Sequence, residues 1–306
     1  MNLETIEHAN QEIHVPRFAQ IDGLRIAYRE GGDGERVVIL IHGLCSASFT
    51  WEDAFELLAA QHRVIALDLK GYGASDKPIG DYSLDAQADI VVRFMNELGI
   101  DCATLVGNSM GGAVALRVVE RSGERVSRLV LVDPAVYSAH TRSRLARALL
   151  GRSGMIGSTM TFHLLRMLAR SPSFIESRMR EAYGSPNAIK PSRVAAYHAL
   201  LNDPACVRAV VATLQAWDLG PVERDLHFIT QPTLILWGER DRIIAPHFAQ
   251  QLAQDLPQAA LKILPCGHAP QEEMPVEFAQ LVQSFLDETE NQNLGAKENF
   301  SPASGP

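Results

Sequence analysis

The chain has 306 residues, 46% of them apolar and 21% charged, a balance that suits a folded enzyme and leaves room for one large domain with an insertion. A formal charge of −8 argues against a nucleic-acid binder. No window approaches eighteen consecutive apolar residues, and residues 1–8 lack the basic and apolar regions of a signal peptide, so neither a membrane span nor export is expected.

Short apolar runs alternate with helical patterns, which predicts a mostly parallel sheet with helices on both faces. Val37–Ile41 reads as a buried strand ending at His42-Gly43, followed by a helix near Trp51–Ala60. The strand Val64–Asp68 leads into the turn Gly71-Tyr72-Gly73, and a helix over Ser83–Leu98 starts on Ser83 as N-cap. Cys102–Val106 and Leu129–Val132 are the next strands, with Ala113–Val119 helical between them. Thr233–Gly238 and Ala260–Leu264 are the last strands, and a helix over Val276–Leu286 closes the fold.

Residues 135–225 break the alternation, reading as helices separated by Gly154, Gly157, Pro172, Gly184-Ser185-Pro186 and Pro191. The expected organisation is a core of 1–134 and 226–286, a helical cap of 135–225 over the carboxyl ends of the strands, and a disordered tail of 287–306. The inserted block holds twelve Arg and Lys against six Asp and Glu, net +6, so the remainder is −14. Solvated arginines on amphipathic helices explain most of that charge; attraction of an anionic substrate, or contact with a lipid or partner surface, are the other readings.

The most specific local signal is Gly107-Asn108-Ser109-Met110-Gly111-Gly112, placed between a predicted strand and a predicted helix. A serine on that sharp turn has the form of a nucleophile elbow, with glycine two places to either side because larger side chains would collide across it. A serine hydroxyl needs a base, and His268, in a Gly-containing loop just past the last strand, is the best placed, ahead of His247. Asp241, in the loop after Thr233–Gly238, is the expected acid that orients the imidazole. Asp133, at the end of the Leu129–Val132 strand, is its rival, and Glu239 stands too near its strand.

Two backbone N–H groups should receive an oxyanion: Met110, which comes with the elbow, and Leu44 after His42-Gly43, with Cys45 next in line. His42 is expected to brace that loop. Cys45, Cys102, Cys206 and Cys266 are dispersed, without CxxC spacing, and read as reduced thiols of a cytoplasmic protein. The sequence has no HExxH, no clustered Cys/His set and no phosphate-binding glycine loop, so no metal or cofactor is expected.

Taken together, Ile41-His42-Gly43, Asp68–Pro78, the elbow, Gly238–Asp241 and Gly267-His268 resemble the α/β-hydrolase superfamily over about residues 15–286. The resemblance implies an α/β-hydrolase fold and a Ser-His-Asp site beneath a helical cap. Asp68–Pro78 and Ser48–Trp51 look like the epoxide hydrolase and haloalkane dehalogenase branch, whose nucleophile is aspartate where this chain has Ser109. The elbow is similar to that of meta-cleavage-product hydrolases, which cut a carbon–carbon bond in anionic diketo acids. Their HGxGPG loop is replaced here by His42–Ala47, and the Trp after their histidine by Ala269.

The leading expectation is a serine hydrolase of carboxylic esters, lactones or thioesters, acting on a small acyl substrate that is partly apolar and suited to an anionic group. Carbon–carbon hydrolysis is the second reading, and a ligand sensor on the same scaffold the third. Oligomeric state and substrate identity leave no trace in the sequence.

Overall fold

The computed structural model describes residues 16–138 and 154–298, with the side chains of 154–158 and 289–298 left aside. Eight strands form one sheet: β1 (Arg17–Ile21), β2 (Leu24–Gly31), β3 (Val37–Ile41), β4 (Arg63–Leu67), β5 (Ala103–Asn108), β6 (Val126–Val132), β7 (Thr233–Gly238) and β8 (Ala259–Leu264). Their order is β1-β2-β4-β3-β5-β6-β7-β8, parallel from β4 to β8, with β1 and β2 antiparallel at one edge. The chain therefore moves outward from β3 in both directions, and the β3–β5 junction is the switch point where such sheets leave a crevice.

The central strands are buried on both faces, and their period of two divides them between two cores. Ile39 and Ile41 pack on the side of α2 (Leu84–Glu97) and α3 (Met110–Ser122), with Val91, Phe94 and Leu116. Val38 and Leu40 pack on the side of α1 (Glu52–Ala59), with Trp51, Phe278 and Val282. This is why β3 is a continuous apolar run without alternation.

The β1–β2 hairpin is an addition to the elements predicted above. It turns on Asp22 (φ 51°) and Gly23 (φ 80°), two left-handed residues that match the twist of paired strands. Ser83 caps α2 as expected, its Oγ accepting from the Ala86 N–H at 3.3 Å.

Between β6 and β7 the described chain is helical: α4 (Gly154–Ala169), α5 (Pro172–Ala182), α6 (Pro191–Asn202), α7 (Pro204–Gln215) and α8 (Gly220–Asp225). Proline opens α5, α6 and α7, where its missing N–H costs no hydrogen bond. Of the expected cap, 139–153 lies outside the described residues, and α8 packs on the core helix α3 with Val222 buried there. After β7 come α9 (His247–Asp255), β8, α10 (Pro270–Glu273) and α11 (Pro275–Glu298). α11 runs twelve residues past Leu286, where the disordered tail was expected to begin. Gln, Glu and Leu in that stretch suit a helix, and proline first returns at position 302. The tail beyond 298 lies outside the described residues. Among the described residues, no helix is long and apolar enough to cross a membrane.

Candidate active site

Five loops leave the carboxyl ends of β3, β5, β6, β7 and β8 and carry Leu44, Ser109, Asp133, Asp241 and His268 in that order. Ser109 takes φ 53° and ψ −116°, a conformation that a non-glycine residue holds only under constraint. Its N–H donates to Val132 O at 2.9 Å, and its carbonyl accepts from Gly112 and Ala135 N–H, both at 3.0 Å. The glycines around it are required by contact. A Cβ at Gly107 would lie 2.3 Å from Gly111 O, and one at Gly111 would lie 2.1 Å from Ile41 O.

Ser109 is also the N-cap of α3, so the helix opens with the N–H groups of Met110 and Gly111, which have no intrahelical acceptor. Leu44 follows Gly43, where an added Cβ would meet Ser109 Cβ at 3.2 Å, and precedes Cys45 in the left-handed region at φ 60°. The loop is held by His42, whose ring is fully buried. Its Nε2 accepts from Leu69 N–H at 3.1 Å, which places the proton on Nδ1, donating to Gly43 O at 2.8 Å. Burial depresses the pKa of His42 and keeps it neutral, as bracing requires.

His268 Nδ1 lies 2.7 Å from Asp241 Oδ2, and the Asp241 side chain is fully buried. The other Asp241 oxygen accepts from Ile243 N–H at 2.7 Å and Ile244 N–H at 2.9 Å, which fixes the carboxylate as an acceptor. An Nδ1–H donated to that carboxylate leaves Nε2 with a free lone pair, the tautomer a general base needs. Of the sequence alternatives, His247 is exposed at the start of α9 against the Phe248 ring, and Glu239 is exposed beside Arg240. Asp133 is brought to the site but bonds elsewhere: its Oδ1 accepts from Gly238 N–H at 2.8 Å.

Donor atoms of Asp133, Asp241 and His268 lie within 4.8 Å of one another, the spacing of a metal set. The Asp241 oxygens are already engaged by two N–H groups and the imidazole, so a cation there would have to displace those bonds. Burial disfavours the thiolates nearby, pushing Cys45 up to about 12 and raising Cys266 as well.

Several supporting residues had no signal in the sequence. Asn108 Nδ2 donates to Val132 O and to His268 O, both at 3.1 Å, tying the elbow to the histidine loop. Glu273 accepts from Gly267 N–H at 2.7 Å and Gly184 N–H at 2.8 Å, joining that loop to the helical insertion. The His268 N–H itself donates to Ala182 O at 2.8 Å, at the end of α5. Behind them Glu272, buried, pairs with Arg193 Nε of α6 at 2.9 Å and accepts from Tyr183 OH at 2.6 Å and Tyr197 OH at 2.7 Å.

Residues 36–275 match the α/β hydrolase fold family. A 2-hydroxy-6-oxo-6-(2′-aminophenyl)hexa-2,4-dienoic acid hydrolase of Metapseudomonas resinovorans is 30% identical, over 92% of this chain and 94% of its own. A 2-hydroxymuconate semialdehyde hydrolase of Pseudomonas putida is 31% identical, over 88% of this chain and 92% of its own. Among solved structures, a bacterial membrane phospholipase A superposes with a TM-score of 0.72 at 29% identity, covering 94% of this chain and 90% of that one. With an elbow, a β7 acid and a β8 histidine on a sheet of this order, and with that match across most of its length, the chain belongs to the α/β hydrolase fold family.

Proposed function

We propose that this hydrolase cleaves carboxylic esters, lactones and thioesters among them, through an acyl-enzyme on Ser109. The observation that carries the reading is the 2.7 Å hydrogen bond between His268 and a buried, doubly braced Asp241, at the same carboxyl end of the sheet as the strained Ser109 elbow. Ser109 Oγ attacks the substrate carbonyl while His268 Nε2 takes its proton, and Asp241 stabilises the imidazolium. The N–H groups of Met110 and Leu44 receive the oxyanion. Collapse expels the alcohol, protonated by His268, which then activates the water that clears the acyl-enzyme. Every group named is part of the polypeptide, so the route needs no cofactor. The helical insertion serves as the cap, and dispersed thiols without CxxC spacing suit a cytoplasmic setting.

Carbon–carbon hydrolysis is the second reading. It is favoured by the dienoic acid and semialdehyde hydrolases at 30% and 31% identity and by the +6 balance of residues 135–225, which suits an anionic substrate. A ligand sensor is disfavoured, since a binder has no need of three groups in register.

The deciding experiment is a chain-length series of p-nitrophenyl esters run beside a meta-cleavage dienoate and a fluorophosphonate label. Ester turnover that depends on acyl length, labelling of Ser109, and loss of about 10⁴-fold or more in Ser109→Ala establish the esterase. Faster dienoate turnover moves the assignment to carbon–carbon cleavage; labelling with neither turnover leaves the sensor.

A further inference from the structure

Asp133 has a fully buried carboxyl at the end of β6 and a left-handed backbone at φ 44°. One oxygen accepts from Gly238 N–H, while Oδ2 finds no donor among the described residues. What lies beside it is a second carboxylate, Asp241, whose own oxygens face Ile243 N–H, Ile244 N–H and the His268 ring. Two ionised carboxylates buried side by side repel strongly, and neither would supply a hydrogen for the orphaned oxygen. One proton on Asp133 Oδ2 resolves both problems, since it satisfies that oxygen and gives Asp241 a donor on a spare lone pair.

We propose that Asp133 is a neutral carboxylic acid whose Oδ2–H donates a hydrogen bond to Asp241 and thereby sets the basicity of the His268–Asp241 pair, acting as a positioning residue. The inference rests on the reading of Ser109, His268 and Asp241 as the catalytic set. The titratable groups around Asp133 are Asp241 from the β7 loop, Cys266 and His268 from the β8 loop, and Glu273 from α10. Cys266 is held neutral by burial, and the carboxyls oppose a charge on Asp133. Burial, then the charge of Asp241, accordingly pushes the Asp133 carboxyl well above the usual range.

Asn is the discriminating replacement: it tolerates the left-handed region, accepts from Gly238 N–H and donates an N–H to Asp241, all without a proton to lose. The first readout needs no turnover. An acid whose pKa is higher folded than unfolded stabilises the fold fully below the unfolded value, about 3.9, and that contribution is lost as pH rises through the folded one. The folded-to-unfolded ratio of Asp133→Asn should therefore gain on wild type by up to tenfold per pH unit above about pH 5 in urea unfolding. A ratio between the two proteins that stays flat from pH 5 to 8 means an ionised Asp133 and overturns the proposal.

The second readout is the acid limb of kcat/KM for a p-nitrophenyl ester. Asp133→Ala leaves Asp241 more basic, so the limb moves to higher pH, and Asp133→Asn restores it. An Asn variant whose limb moves down in pH, as loss of a negative charge would cause, overturns the proposal, and so does one that matches Ala. If Ser109→Ala keeps wild-type turnover, the catalytic reading fails on its own account, and the unfolding ratio still decides the protonation of Asp133.

Discussion

The helical insertion meets the sheet domain along two unlike seams. On the His268 side, α5 and α6 are fastened by a buried ion pair, two tyrosine hydroxyls, and backbone bonds to the β8 loop. On the other side, α4 and α7 face the segment from Lys77 to Tyr82 across a cavity of about 370 Å³, lined by Pro78, Phe162, Arg208 and Ala212 among others. Polar contacts described near that side include Tyr72 OH to Thr213 Oγ1 at 2.8 Å and Lys77 to Asp203 at 3.5 Å. The lesson is a division of labour. One seam fastens the His268 loop, and the other encloses a cavity.

Mutations separate the two seams. Gly267→Ala strikes the fastened seam directly, since its Cβ would lie 2.2 Å from Ala182 O and 2.3 Å from Gly184 N. Displacing the histidine loop by about 1 Å should lower kcat for a p-nitrophenyl ester by about 10²-fold. Unchanged kcat would mean that the fastened seam has no bearing on His268. Glu272→Ala removes one partner of buried Arg193, which keeps Asp53 at 3.0 Å, and takes the acceptor from the Tyr183 and Tyr197 hydroxyls, so it should cost about 3 kcal/mol in urea unfolding. By contrast, Lys190→Ala removes an ion pair to Asp53 whose lysine is half exposed, worth no more than about 1 kcal/mol. Equal losses for these two would erase the distinction between a built latch and ordinary surface charge. Ala212→Trp tests the open seam by filling its cavity. KM for long-chain esters should rise about tenfold while kcat for acetate stays within about twofold, the signature of lost uniform binding. A parallel fall in kcat for every chain length would place the cavity outside the substrate path.

The two seams also mark how far the sequence could be read. β3 and β7 match their predicted bounds because each is an unbroken apolar run closed by a turn. The placing of Ser109, Asp241 and His268 needed only their order and their positions at strand ends. The hairpin of β1 and β2 had a local signal, Asp22-Gly23, that alternating apolar residues could have confirmed. Glu272 and Arg193 had none. Their pairing spans 79 positions and depends on how α6 lies across α10, so no local pattern betrays it. Asp133 illustrates the same limit: its rank behind Asp241 follows from a hydrogen bond to Gly238, 105 residues away.

The bond from His268 N–H to Ala182 O, with glycine at both 184 and 267 to permit that approach, has a consequence for rebuilding the enzyme. Insertions of this kind invite exchange between relatives as a means of changing substrate range. Here the transplanted piece would carry away a support of the His268 loop. A working chimera must import α5 together with the β8 loop that rests on it, so the practical unit of exchange crosses the boundary between insertion and sheet.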